Sequence, residues 1–256
     1  LSKVQANSTT VGVDIISAPI TLNSNLRINV NSGGATARLD ITGPISQEAG
    51  KTLGVDITGA GRVTYSGTTP NTYTGLTRVF TRGHSDATNP NLVLAKTEGV
   101  NAIAGNLQIG NASIGGSGTT VVHLGASNQI ADNSILIMDG GIGGYATGNG
   151  GNNPYFQLMG FDETLGGLWD YTASGVIEVT EGESGTANST LTINTTAGIS
   201  NYYNGFIRDR ANNTGSGVLN LVVSGNGEQV LALGNISYSG STTINSGARL
   251  VLESTT

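Results

Sequence analysis

The apolar residues of this chain arrive in short alternating bursts, and that spacing decides what it can fold into. Leu26, Ile28 and Val30 alternate with Arg27 and Asn29; Leu53, Val55 and Ile57 alternate with Gly54 and Asp56. Similar bursts recur at 39–41, 63–65, 92–94, 107–109, 121–124, 135–138, 176–179, 191–193, 218–223, 230–233 and 250–252. Each is about three to six residues long and lies roughly 8 to 20 residues from the next, which is strand spacing rather than helix spacing. Gly, Asn, Ser and Thr fill the gaps and accept tight bends at low steric cost.

Composition points the same way. Gly, Ser, Thr and Asn number 40, 23, 32 and 26, almost half of the 256 residues, whereas only 3 Lys and 8 Glu occur. Good helix formers are scarce and residues suited to a pleated surface are plentiful, so the chain reads as all-β. A hydrophobic fraction of 37% is too high for a disordered tail. No cysteine is present to staple the fold, and a chain of this length needs none. A net charge of −6, with 11 basic residues spread along the chain, gives no footprint for nucleic acid. No apolar stretch reaches the ~20 residues of a membrane-spanning helix.

Two architectures fit short strands at this spacing: an antiparallel sandwich or barrel, and a parallel β-solenoid. Hairpin signals such as Asn-Gly between alternating runs are nearly missing, and bursts of three residues suit a solenoid that inserts about two side chains per face. The solenoid is therefore expected. A duplication adds to it. The run 59–67 (GAGRVTYSG), followed by 71–79 (NTYTGLTRV) and 92–94 (LVL), parallels 225–234 (GNGEQVLALG), 235–244 (NISYSGSTTI) and 250–252 (LVL). Tyr73 matches Tyr238 and Gly75 matches Gly240, both 165 positions apart. The chain thus holds about one and a half copies of a unit of roughly 165 residues, read as one segment, 1–256, of an array that continues beyond both termini.

At these residues the sequence resembles the autotransporter-associated β-strand repeat of large bacterial surface and secreted proteins. The second copy matches through Gly225, Gly227, Leu231, Leu233, Asn235, Tyr238, Gly240, Thr242, Ile244, Gly247, Leu250 and Leu252. The first keeps Gly59, Gly61, Ser66, Gly67, Asn71, Tyr73, Gly75, Thr77 and Val79, then departs with an insertion at 81–91 before Leu92. The resemblance implies a right-handed parallel β-helix exported to the cell surface, outer-membrane associated or secreted, with no activity attached to the repeat. From the residues alone, Tyr73 and Tyr238 are expected to cover corners with their hydroxyls toward water or a backbone group, and Gly75 and Gly240 to allow the turn beneath.

The search for chemistry assigns no catalytic, cofactor-binding or metal residue. Asp40 and Asp56, with Arg38, are 16 residues apart and could stack on neighbouring coils as an acid pair with a basic companion, but alternation turns both acids outward as ordinary exposed positions. Glu178, Glu181 and Glu183 read as a solvated bend. His84 with Asp86 lacks a third metal ligand, and His123, alternating with Val122 and Leu124, is expected to face solvent. The stretch 140–151 lacks the Lys-Ser/Thr of a phosphate loop, and 145–154 is expected to project as a loop. Arg208-Asp209-Arg210 reads as a solvated corner, or a contact for a neighbouring subunit or polysaccharide.

The expectation is one elongated β-helix of about 10 to 13 coils, serving as a non-catalytic structural or adhesive segment, with adjacent repeats or copies of itself end to end as partners, and surface glycans as a further class. A carbohydrate-active β-helix, lyase or glycosidase, is the alternative, and a phage-tail-type fibre a remoter one. An uncapped segment is expected to polymerise when isolated.

Overall fold

The computed structural model describes residues 2–7, 12–31, 37–80, 89–110, 119–140, 153–170, 172–180, 186–210, 215–233 and 236–254. These residues contain strands and no helix, and every strand pairing among them is parallel. The expected all-β class is present, and the antiparallel alternative is excluded for them.

The chain visits three positions in fixed order, and each strand pairs with the strand occupying the same position one cycle later. The first position holds β1 (Ser2–Asn7), β4 (Leu26–Asn31), β7 (Val55–Thr58), β9 (Thr77–Val79), β11 (Leu107–Ile109), β13 (Ile135–Met138) and β16 (Gly167–Asp170) as one sheet. A three-stranded sheet of β19 (Ser200–Tyr203), β22 (Glu228–Leu233) and β25 (Arg249–Ser254) follows it, β19 packing beside β16. The second position is a nine-stranded sheet of β2 (Gly12–Ile16), β5 (Ala37–Ile41), β8 (Arg62–Gly67), β10 (Leu92–Lys96), β12 (Thr120–Leu124), β14 (Pro154–Gln157), β17 (Val176–Glu178), β20 (Phe206–Arg208) and β23 (Ile236–Ser237). The third holds β3 (Ile20–Leu22) with β6 (Ile45–Gln47), then β15 (Glu163–Leu165), β18 (Ser189–Thr195), β21 (Leu219–Gly225) and β24 (Thr242–Ile244).

Between β6 and β15 the third position carries no regular strand, and buried polar side chains replace the ladder. Asn71 accepts from Ile45 N–H at 2.8 Å and donates to Ala102 O at 2.8 Å. Gln129 accepts from Lys96 N–H, and Glu163 accepts from the N–H groups of Gln129 and Ile130. At the junction of β16 and β19, Gln229 accepts from Leu168 N–H and donates to Leu168 O and Asn201 O, reaching across two cycles. Each is a buried amide or carboxyl satisfying backbone groups that the sheets leave over.

Alternation explains the rest. In β4 and β5 every second residue is buried, and Ile28, Val30, Leu39 and Ile41 join Val55, Val63, Leu94, Val122, Ile177, Leu191 and Leu221 in one apolar core enclosed by all three positions. Each fully buried aliphatic contributes about 1.5–3 kcal/mol of transfer free energy.

The two copies of the repeated motif occupy different positions. The first runs β8, 71–74, β9 and β10, starting in the second position; the second runs β22, β23, β24 and β25, starting in the first. Both keep one contact: the tyrosine hydroxyl meets a threonine hydroxyl four residues on, at 2.6 Å for Tyr73–Thr77 and for Tyr238–Thr242. Tyr73 is fully buried, so the expectation of a corner ring whose hydroxyl reaches water or a backbone group is corrected at that position: the hydroxyl is spent on the motif's own threonine. Gly75 and Gly240 do not supply an unusual turn either. A Cβ would stand 2.4 Å from Leu53 O at one and 2.1 Å from Leu219 O at the other, so glycine is required by close approach to the preceding cycle.

Candidate functional site

Strand register sorts the outward side chains of the nine-stranded sheet into two columns. One runs Val13, Arg38, Arg62, then Asn91 beside Arg62, then Val121, Tyr155, Val176 and Phe206. The other runs Ile15, Asp40, Thr64, Val93, His123, Gln157, Glu178 and Arg208. The face changes character along its length.

From β12 to β20 it is closed. Val121, Tyr155, Val176 and Phe206 form a second buried apolar cluster outside the main core. Beside them Gln157 Nε2 and Arg208 Nε donate to the two oxygens of Glu178, each at 2.8 Å. The Glu178 side chain is 0% exposed and that of Arg208 is 9% exposed. This overturns the reading of Glu178 as part of a solvated bend and of Arg208 as a solvated corner. The two lie 30 residues apart but in direct register, which the local sequence does not reveal.

From β5 to β10 the face is cationic and partly open. Arg38 and Arg62 stand directly in register on adjacent strands, a like-charge juxtaposition that costs stability. Burial, and then Arg38, lower the pKa of Arg62, while Asp40 opposes both. Asp40 accepts from Ser66 Oγ at 2.7 Å, and Lys96 Nζ donates to Ser66 O at 2.9 Å; burial lowers the Lys96 ammonium pKa against the pull of Asp40. Two donors here meet no acceptor, Arg62 Nε and Asn91 Nδ2, and where the face begins to close His123 Nε2 makes no hydrogen bond. His123 is 8% exposed, so the expectation that it faces solvent fails: the alternation holds, but its outward side is covered. Burial drives the imidazole pKa down to about 4; Gln157 raises it and Arg62 lowers it further.

The remaining sequence candidates separate. Asp56 lies on β7 in the first position, not beside Asp40, so the stacked acid pair does not form. Asp56 instead takes a forked contact from Arg78, at 2.8 and 3.0 Å from Nη2, and a longer one from Arg27 at 3.4 Å; Arg78 lies over the Phe80 ring. Asp209 accepts from Leu219 N–H and from the N–H and Oγ of Ser239, and Arg210 donates to Gly215 O and Gly217 O. Asp209, Arg210, Ser216, Ser237 and Ser239 border a polar notch of ≈ 310 Å³. His84, Asp86, Glu181, Glu183 and the stretch 141–152 lie outside the described residues. Among the described residues no three His, Asp or Glu gather as a metal set. Arg62, Asn91 and Lys96 were not singled out by sequence reasoning; Arg62 sits inside the repeated motif, and only register exposes its closeness to Arg38.

No protein-family model matches the chain, and no curated protein or solved structure matches it.

Proposed function

We propose that the chain is a non-catalytic structural or adhesive segment of a large extracellular bacterial surface protein, wound as a right-handed parallel β-helix. The observation that carries this is the repeated motif: it makes the same Tyr–Thr contact in two different positions of a strictly parallel three-strand cycle. Such a unit propagates a rod by stacking and asks for no chemistry of its own. The carboxylates support it too, because Asp56, Glu163, Asp170 and Glu178 are engaged in bonds that hold backbone or arginine in place. The resemblance to autotransporter passenger repeats adds export and a cell-surface setting.

Ten first-position strands at ~4.8 Å per step give a rod on the order of 45–50 Å. Ile244 in β24 and Leu252 in β25 are exposed apolar side chains that continue the core ladders of Val223 and Leu231 and that an adjacent repeat or copy would cover end to end. Small-angle scattering tests this reading. A rod cross-section expected of stacked coils supports it, and a globular profile sinks it.

A second reading, a carbohydrate-active β-helix, is favoured by one observation: Asp40 stands among Arg38, Arg62 and Lys96, an acid with basic neighbours of the kind lyases use. Incubation with acidic and neutral polysaccharides discriminates. Cleavage abolished by Asp40→Asn would establish the enzyme, and intact polymers with every substrate leave the structural reading.

A further inference from the structure

We propose that the outer face of β5, β8 and β10 binds the carboxylates of an acidic, uronate-bearing glycan, with Arg38 and Arg62 as the gripping pair. This rests on the adhesive reading above and supplies its ligand class.

The first argument is the unbalanced charge. Elsewhere on this molecule an arginine on a strand meets an acid on the next: Arg78 with Asp56, Arg208 with Glu178, Arg249 with Glu228. Arg38 and Arg62 meet each other in register, and neither forms an ion pair. Asp40 is the nearby acid for Arg62 and for the buried Lys96, so two exposed or half-exposed arginines share this face with one carboxylate on a chain whose net charge is −6. An anion seated between the two guanidinium groups converts the mutual repulsion into shared attraction, and a planar carboxylate matches each fork.

The second argument is independent of charge. Asn91 is 2% exposed and continues the arginine column; its Oδ1 takes Val121 N–H at 2.9 Å while its Nδ2 donates to nothing. Arg62 Nε is likewise unsatisfied, as is Nε2 of His123 one strand further. Buried donors without acceptors cost about 1–3 kcal/mol each. Two at adjacent strands, beside cations, describe a surface waiting for acceptor oxygens.

Geometry then selects a polymer over a lone ion. Arg38 is exposed, Arg62 half-buried and Asn91 buried, so the face opens at β5 and closes toward β12. Arg38 and Arg62 leave the sheet one strand step apart, ~4.8 Å at the backbone, close to the length of one sugar ring. A chain lying along the column offers one acid group to each arginine, and its hydroxyls face the half-buried Thr64 of the second column.

The test is calorimetric titration of the whole chain with oligogalacturonate, a neutral oligoglucan of equal length, and acetate, at two salt concentrations. The expected result is binding of oligogalacturonate alone, weakened by salt, and reduced about tenfold or more by Arg38→Gln and by Arg62→Gln. Arg249→Gln, which removes an exposed cation elsewhere, leaves affinity unchanged. Unaltered circular dichroism separates lost binding from lost folding. An NMR titration of His123 gives a second readout, its pKa rising when oligogalacturonate is bound. Equal binding of the neutral glycan, affinity for acetate equal to that for the polymer, indifference to both arginine substitutions, or no binding at all overturns the proposal. In every one of those cases the rod-like scattering profile is untouched, so the failure belongs to this site and not to the structural role.

Discussion

Arg208 donates its Nε–H to Glu178 at 2.8 Å across one strand step, and both side chains are sealed beside the apolar column of Val121, Tyr155, Val176 and Phe206. A buried pair of this kind is costly to break from one side, because the remaining charge has nowhere to go. Arg208→Met is expected to destabilise the chain by about 3–5 kcal/mol, with Glu178→Gln/Arg208→Met recovering much of the loss. Urea unfolding of the two variants measures this; equal stabilities would contradict it.

The repeated Tyr–Thr contact offers an internal control. Tyr73 and Thr77 are both fully buried, whereas Tyr238 is half-buried and Thr242 exposed. Removing the hydroxyl with Tyr73→Phe strands Thr77 Oγ1 away from water and is expected to cost about 1–3 kcal/mol. Tyr238→Phe lets water replace it and is expected to cost well under about 1 kcal/mol. The difference in denaturation midpoint decides.

Glycine is used here for two unrelated reasons, and alanine separates them. At Gly75 a Cβ would lie 2.3 Å from the carbonyl carbon of Leu53, so Gly75→Ala forces the backbones apart at about 3 kcal/mol or more. Gly50 has φ +77 with nothing within 4 Å, so Gly50→Ala meets only the left-handed penalty of about 1–2 kcal/mol. Thermal melts should rank them in that order.

Two buried titratable groups act in opposite directions. His123 is held neutral with a folded pKa of about 4 against 6.5 unfolded, so its contribution is intact above about pH 6.5 and declines as pH falls toward 4, by up to about 3 kcal/mol. Glu163 has its folded pKa raised to about 8 by burial, against 4.5 unfolded, so its ionisation erodes stability as pH rises through that interval. His123→Gln should flatten the acid limb of a stability–pH curve and Glu163→Gln the alkaline one. Curves parallel to the parent's would refute the assignment.

Strands with alternating aliphatic residues, such as β4, β7, β10 and β21, were legible in the sequence because burial of every second residue writes itself as a period of two. Among the strands not singled out there, β1, β15 and β19 are polar or brief: β15 buries Glu163, and β19 buries Asn201 and Tyr203. Their pairing comes from register imposed by neighbouring cycles, which no local pattern encodes. The candidate site was hidden for the same reason. Alternation says that Arg38, Arg62, His123 and Glu178 all point outward, and it is right; it cannot say that outward at His123 and Glu178 is covered while outward at Arg38 is not.

The motif's indifference to where in the cycle it begins has a consequence for how such a chain can change length. Val230 pairs with Val251 21 residues on, whereas Val63 pairs with Leu92 29 residues on, most of the difference being the longer sequence between Val79 and Leu92. One motif length is therefore one lap of the molecule, whichever position it starts from. Gain or loss of whole laps is thus a mutation the fold absorbs without a frame to respect, and the residues at the corners are free to diverge while the lap itself is copied.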